Sequence, residues 1–96
     1  MDALADSSRF VAHPRIIATD LQQELVLLDP RTQQMFRLNQ TGRLVWLGLA
    51  ETDLAGLAGR LSEAFDVSAE QAGRDVRDLL TTMLQSGLIE AKSGDA

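Results

Sequence analysis

Ninety-six residues with 45% hydrophobic content, a net charge of −5 and a pI near 4.6 describe one small acidic globular domain rather than a disordered or fibrous chain. There is no cysteine and one histidine, which excludes disulfides, thiolate nucleophiles and metal sites built from cysteine or from histidine alone. No apolar run approaches the roughly 20 residues of a bilayer span. The opening MDALADSSRF also lacks the basic start and apolar centre of a secretory signal, so a cytoplasmic protein with no membrane partner is expected.

Residues 1–12 are small, polar and aperiodic and read as a flexible arm; residues 92–96 read as a flexible tail. The domain between them spans 13–91. After Pro14, Arg15-Ile16-Ile17-Ala18-Thr19 is rich in β-branched residues and predicts a first strand. Glu24 to Asp29 predicts a second. Asp29-Pro30-Arg31-Thr32 makes a good turn, because Asp suits the first position and Pro pre-sets φ at the second. Gln34 to Leu38 is then the third strand of an antiparallel meander.

After Asn39 the apolar spacing becomes helical. Asn39 or Thr41 can cap a helix over Gly42 to Ala50 that is apolar nearly all round and therefore buried, Trp46 included. Thr52 is the expected cap of a second helix, whose Leu54, Leu57, Ala58, Leu61 and Phe65 recur at helical spacing. Its Gly56 and Gly59 each cost about 1 kcal/mol against alanine unless close packing repays them. Ser68 to Gln71 fits a capping box at the start of the third helix, and Gly87 suits its end, letting Leu88 and Ile89 fold back on the core. The fold class is α+β, winged-helix-like, with a three-stranded antiparallel N-terminal sheet followed by three helices.

Little in this pattern carries chemistry. His13 has no acid or nucleophile at a telling distance and reads as a solvated loop residue. The serines have no partner base. Asp75 and Asp78, interleaved with Arg74 and Arg77, read as the mixed-charge face of a helix rather than a catalytic pair. No phosphate-binding glycine loop is present. The expectation is a protein that is not an enzyme, with no catalytic residues, no metal and no cofactor. A winged-helix layout also raises nucleic acid as a partner. The second helix offers only Arg60 among its acids, and the third two arginines against Glu70, Asp75 and Asp78, which is too little to neutralise several phosphates.

Pairing across the turn puts Leu25 and Leu27 on one face with Phe36 and Leu38, and Val26, Leu28, Met35 and Arg37 on the other, whichever two-residue register applies. The first face is the core side. The second is a small apolar patch. Pro14 blunts the edge of the first strand, whereas the third has neither proline nor lysine. An unguarded edge of this kind can accept an extended peptide as an added strand, held by backbone hydrogen bonds.

The residues that suggest this also resemble a family. HPRIIATDLQQELVLLDPRTQQMFRLNQTG, followed by RLVW, DVRDLL and SGLI, is similar over residues 13–91 to PqqD-like domains, the recognition elements for precursor peptides of ribosomally made, modified natural products. Two departures are visible: Gln33 stands where many relatives carry glycine, and Met35-Phe36 where many carry two aromatics.

The resemblance implies a non-catalytic adaptor that binds an unfolded leader peptide beside the third strand, in a groove walled by the third helix. The residues implied are Gln34, Met35, Phe36, Arg37 and Leu38, with Asp75, Val76, Asp78, Leu79, Thr82 and Met83. The spelling looks most like free-standing members of lasso-peptide pathways. Their partners are the precursor leader, a separate transglutaminase-like cysteine peptidase that removes it, and an asparagine-synthetase-like cyclase. The alternatives are a chaperone of the pyrroloquinoline quinone precursor acting with a radical-SAM enzyme, and a winged-helix nucleic-acid-binding or dimerisation domain.

Overall fold

In a computed structural model, which describes residues 4–92, eight elements follow one another. They are β1 (Phe10–Ala12), β2 (Ile17–Asp20), β3 (Leu25–Asp29), β4 (Gln34–Leu38), α1 (Gln40–Gly48), α2 (Leu54–Phe65), α3 (Ala69–Gln85) and β5 (Ile89–Ala91). The protein is α+β, with the expected three-stranded antiparallel sheet in the order β2-β3-β4 and three helices after it. A second sheet, which the sequence did not announce, pairs β1 with β5.

The register across β3 and β4 sets Leu25 opposite Leu38 and Leu27 opposite Phe36, as the alternation requires. Leu25 and Leu27 are buried and form the floor on which Val45, Trp46, Leu57, Leu61, Val76 and Leu80 of the helices pack. The turn between the strands is longer than its four-residue sequence signal. Asp29 Oδ1 accepts from the Arg31 amide and the Asp29 carbonyl from the Gln33 amide, which forces Gln33 to a left-handed φ of +63°. A side chain is strained there, where glycine would be free of that cost.

Asp29 is the one buried charged residue of the described chain, 2% exposed. Arg15 grips it with Nε–H to Oδ1 at 2.9 Å and Nη2–H to Oδ2 at 3.2 Å, and the same Nη2 reaches the Gly87 carbonyl at 3.4 Å. This grip holds the Asp29 carboxyl below the ordinary carboxylate range although burial pushes it upward. It also moves the start of the first strand: Arg15 belongs to a turn closed by the Ile16 amide on the His13 carbonyl, and β2 begins at Ile17. His13 is half-buried rather than solvated, with Nε2 at 2.8 Å from Arg15 Nη1 and 3.3 Å from Glu90 Oε2.

Asn39 caps α1, its Oδ1 accepting from the Gly42 amide. The cap of α2 is Asp53 and not Thr52, whose hydroxyl instead packs where a Cβ on Gly56 would lie. Gly48 brings α1 against α2: a Cβ there would stand 2.7 Å from Leu57 Cδ2. Ser68 caps α3 through Oγ to the Gln71 amide, but the Gln71 side chain turns away to Asp75, so only half of the capping box forms. The far end of α3 is a Schellman motif. Gly87 sits at φ +74°, its amide bonds the Leu84 carbonyl, and the Leu88 amide bonds the Met83 carbonyl, dropping Leu88 and Ile89 into the core.

The flexible arm expected over residues 1–12 needs correction for its described part. Phe10 is 3% exposed and belongs to the core, with Leu4 packed partly against it. The Ser8 and Asp6 carbonyls accept from the Leu54 and Ala55 amides, two donors that the first turn of α2 would otherwise leave unpaired. Arg77 fastens the same segment through the Leu4 carbonyl and the Asp6 carboxylate. At the other end the Lys92 amide bonds the Arg9 carbonyl; residues 93–96 of the expected tail lie outside the described residues.

Candidate peptide-binding edge and cleft

β4 has β3 on one side and, among the described residues, no strand on the other. Its burial alternates as an edge strand should. Gln34, Met35 and Arg37 are exposed, while Phe36 and Leu38 lean inward and pack partly against the core. Arg37 is held on the outer face by Glu24, with Nη2 to Oε1 at 2.8 Å. Among the described residues no strand pairs with the outward row of backbone donors and acceptors of β4.

Past the end of this edge lies a cleft of about 410 Å³, lined by Asn39 and Thr41 on one side and by Asp75, Asp78, Leu79 and Thr82 of α3 on the other. Helical spacing explains the division of α3. Ala72, Val76, Leu80 and Met83 form one stripe and are fully buried, and Asp75, Asp78, Leu79 and Thr82 occupy the flank beside it. Val76 and Met83, at 0% and 1% exposure, are core residues and cannot touch a peptide from outside, which removes them from the expected groove. Asn39 and Thr41 join the set. Their only signal in the sequence was as helix caps; Asn39 is the cap and Thr41 lies in the first turn of α1, and the start of that helix is what places them at the mouth of the cleft.

The cleft is acidic. Asp75 accepts from Gln71 Nε2 at 2.8 Å, and neither Asp75 nor Asp78 has a cationic partner among the described residues. A second hollow of about 400 Å³ lies on another flank of α3, lined among others by Asp6, Ala55, Ala58, Gly59, Gly73 and Arg74. No strand edge lines it, so it offers no backbone for an extended chain to pair with. Among the described residues no group of His, Asp or Glu side chains could hold a metal ion, and no helix is long and apolar enough to cross a membrane.

A small sheet-and-helix domain with an open edge strand leading to a helix-walled cleft is the class that these features define. The family model of coenzyme PQQ synthesis protein D (PqqD) matches residues 24–89, from the start of β3 into β5, and the chain belongs to the PqqD family. Among solved structures, a lasso peptide synthetase B1 complexed with the leader peptide superposes with a TM-score of 0.78 at 28% identity, over 85% of this chain and 98% of that one. TbiB1 in complex with the TbiA(beta) leader peptide gives a TM-score of 0.76 at 24% identity, over 88% and 96% of the two chains. No curated protein matches the sequence.

Proposed function

We propose that this protein is a non-catalytic adaptor of lasso-peptide biosynthesis, which binds the precursor leader as a strand added antiparallel to β4 and presents it to a separate leader peptidase. The observation that carries this is the open β4 edge running into a cleft walled by α3, on a fold shared with a lasso peptide synthetase B1 that holds a leader peptide.

An added strand satisfies the amides and carbonyls along Gln34–Leu38 that point away from β3. Its inward side chains meet Phe36, Leu38, Leu79 and Thr82, and Asp75 and Asp78 give it hydrogen-bond acceptors. Its outward side chains lie beside Met35 and Arg37. Ordering the peptide costs part of the contact energy, so a micromolar or somewhat tighter complex is expected, about 8–10 kcal/mol. Winged-helix-like framing of the cleft serves peptide binding here, since α3 presents acids rather than a basic surface.

The adaptor contributes no reacting group. It raises the local concentration of the leader at a transglutaminase-like cysteine peptidase and at a cyclase, which do the chemistry. The family's own description, coenzyme PQQ synthesis protein D, favours a second reading, a role in pyrroloquinoline quinone synthesis, and the form we infer for it is delivery of the quinone's precursor to a radical-SAM enzyme. Titration with the two leaders separates them.

Chemical-shift mapping with the cognate leader tests the site. The largest changes are expected at residues 34–38 and 75–82. Changes gathered on α2 around Leu54 to Leu61 would refute the placement, and unchanged leader removal on adding the protein to the peptidase would refute the adaptor role.

A further inference from the structure

The two walls of the proposed groove, β4 and α3, are joined by no backbone hydrogen bond among the described residues. Each is finished by its own local bonds. Asp29, opposite Gln34 at the head of β4, holds the turn: its Oδ1 accepts from the Arg31 amide at 3.0 Å and its carbonyl from the Gln33 amide at 2.6 Å. At the far end of α3 the Gly87 and Leu88 amides return to the Leu84 and Met83 carbonyls at 3.1 and 3.0 Å, so Gly87 moves with the helix.

Arg15 spans the gap. Nε and Nη2 donate to the Asp29 carboxylate at 2.9 and 3.2 Å, and Nη2 also donates to the Gly87 carbonyl at 3.4 Å. Among the described residues no other side chain hydrogen-bonds both the β2-β3-β4 sheet and the end of α3. His13 braces the guanidinium, with its ring nitrogens 2.8 and 3.1 Å from Nη1 and its Nε2 3.3 Å from Glu90 Oε2. A planar fork held in this way fixes the distance between its acceptors, which a single ammonium on a flexible stem does not.

Stability alone is a poor account of such a pair. The Asp29 side chain is 2% and that of Arg15 25% exposed, and the cost of taking a carboxylate out of water offsets most of its attraction to the partner. Apolar side chains of similar volume would hold the place as well. What they would lack is the third contact, the one on Gly87.

We infer that Arg15 is a positioning residue of the leader site: it sets the approach of α3 to β4, so that one added strand meets both walls. The inference rests on the leader-binding reading above and concerns how that site is kept in shape. Arg15 is not among the residues that line the cleft and acts through Asp29 and Gly87.

Two variants remove the span in different ways. Arg15→Lys keeps a cation for Asp29 without the fork. Arg15→Met combined with Asp29→Asn leaves no unpaired buried charge and keeps an Oδ1 acceptor for the Arg31 amide. Each is made with and without Asp78→Ala on the α3 wall. A fluorescein-labelled synthetic leader of a lasso-peptide precursor, one that the parent binds, is titrated by anisotropy. Trp46 emission and circular dichroism check that every protein is folded at the assay temperature. Either span variant should lose affinity by about tenfold, and Asp78→Ala should lose about tenfold in the parent. In the span variants Asp78→Ala should cost only about twofold or less, because a wall out of place has less to lose. Arg15 and Asp78 share no partner, so a merely structural role predicts that the two losses multiply.

Unchanged affinity in both span variants would overturn the inference, and so would losses that multiply with that of Asp78→Ala. Unfolding of both span variants overturns it too, by making the pair a support of the whole fold. An Asp78→Ala protein that binds like the parent takes the α3 wall out of the site, and the inference falls with it. If the parent binds no lasso-precursor leader, the leader-binding reading itself fails, which the parent titration reports before any variant is made.

Discussion

Replacing Phe10 by alanine asks whether the amino-terminal segment belongs to the fold. The ring is 3% exposed and sits in β1 among the core side chains, so its removal leaves a cavity beneath the β1–β5 pair. A buried Phe→Ala change costs about 3–5 kcal/mol. A domain of this size has on the order of 5–10 kcal/mol in total. About a third or more of the stability should therefore disappear, and Tm should fall by at least roughly 12 °C. Urea melts and thermal melts, followed by circular dichroism and by the emission of buried Trp46, measure the two quantities. A truncation lacking residues 1–9 should be destabilised as well, because the Asp6 and Ser8 carbonyls that receive the Ala55 and Leu54 amides go with it. Midpoints of F10A and the truncation within about 0.5 kcal/mol of the parent, the scatter of an ordinary surface change, would refute the reasoning.

Four further outcomes are expected. Gln33→Gly should stabilise the protein by about 0.5–1 kcal/mol in a urea melt, since it relieves a side chain at φ +63° at some cost in unfolded-state entropy. Gly59→Ala should raise stability by up to about 1 kcal/mol in the same assay, because a Cβ there meets nothing within 4 Å. Asp20 is held at a pKa of about 2, below its ordinary 3.8, first by the Arg43 guanidinium and then by the Gln22 amide. A depressed carboxylate stabilises above its unfolded pKa and loses that contribution as pH falls, so the parent should weaken between about pH 4 and pH 2 more steeply than Asp20→Asn in pH-dependent melts. Asp78→Ala should weaken leader binding in an anisotropy titration while leaving the melt nearly unchanged, because Asp78 lines the cleft and is exposed.

The meander and the helices could be foreseen because their information is local. Period-two alternation fixed which faces of β3 and β4 turn inward, and the Asp-Pro turn signal located their connection. Ser68 and Gly87 marked the limits of α3 through backbone groups a few residues away. What escaped depends on distance or on near-equal choices. β1 and β5 hold three residues each, too few for a periodic signal, and each becomes a strand only because the other lies beside it. The short apolar Phe10-Val11-Ala12 between polar residues was the one available hint. Thr52 and Asp53 are both good caps, and only the packing of Thr52 on Gly56 decides between them. In the candidate site, alternation located the edge, but the division of α3 into core and cleft flanks needed the neighbouring elements. Leu79 is therefore on the cleft while Val76 and Met83 are inside.

The pairing of Phe10 with Ala91 and of Ala12 with Ile89 ties opposite ends of the sequence into one ladder. Such a ladder closes the longest loop of any strand pairing among the described residues, so it forms after the local elements and acts as a clasp on a domain already assembled. It also brings the entering and leaving segments side by side, in a sheet that does not contain β4. A fusion partner attached through the carboxyl-terminal segment would approach from the clasp, whereas the amino-terminal segment runs on past the first turn of α2 to Arg77 of α3. The domain can thus be plugged into a larger assembly through its carboxyl-terminal side with the β4 edge left clear.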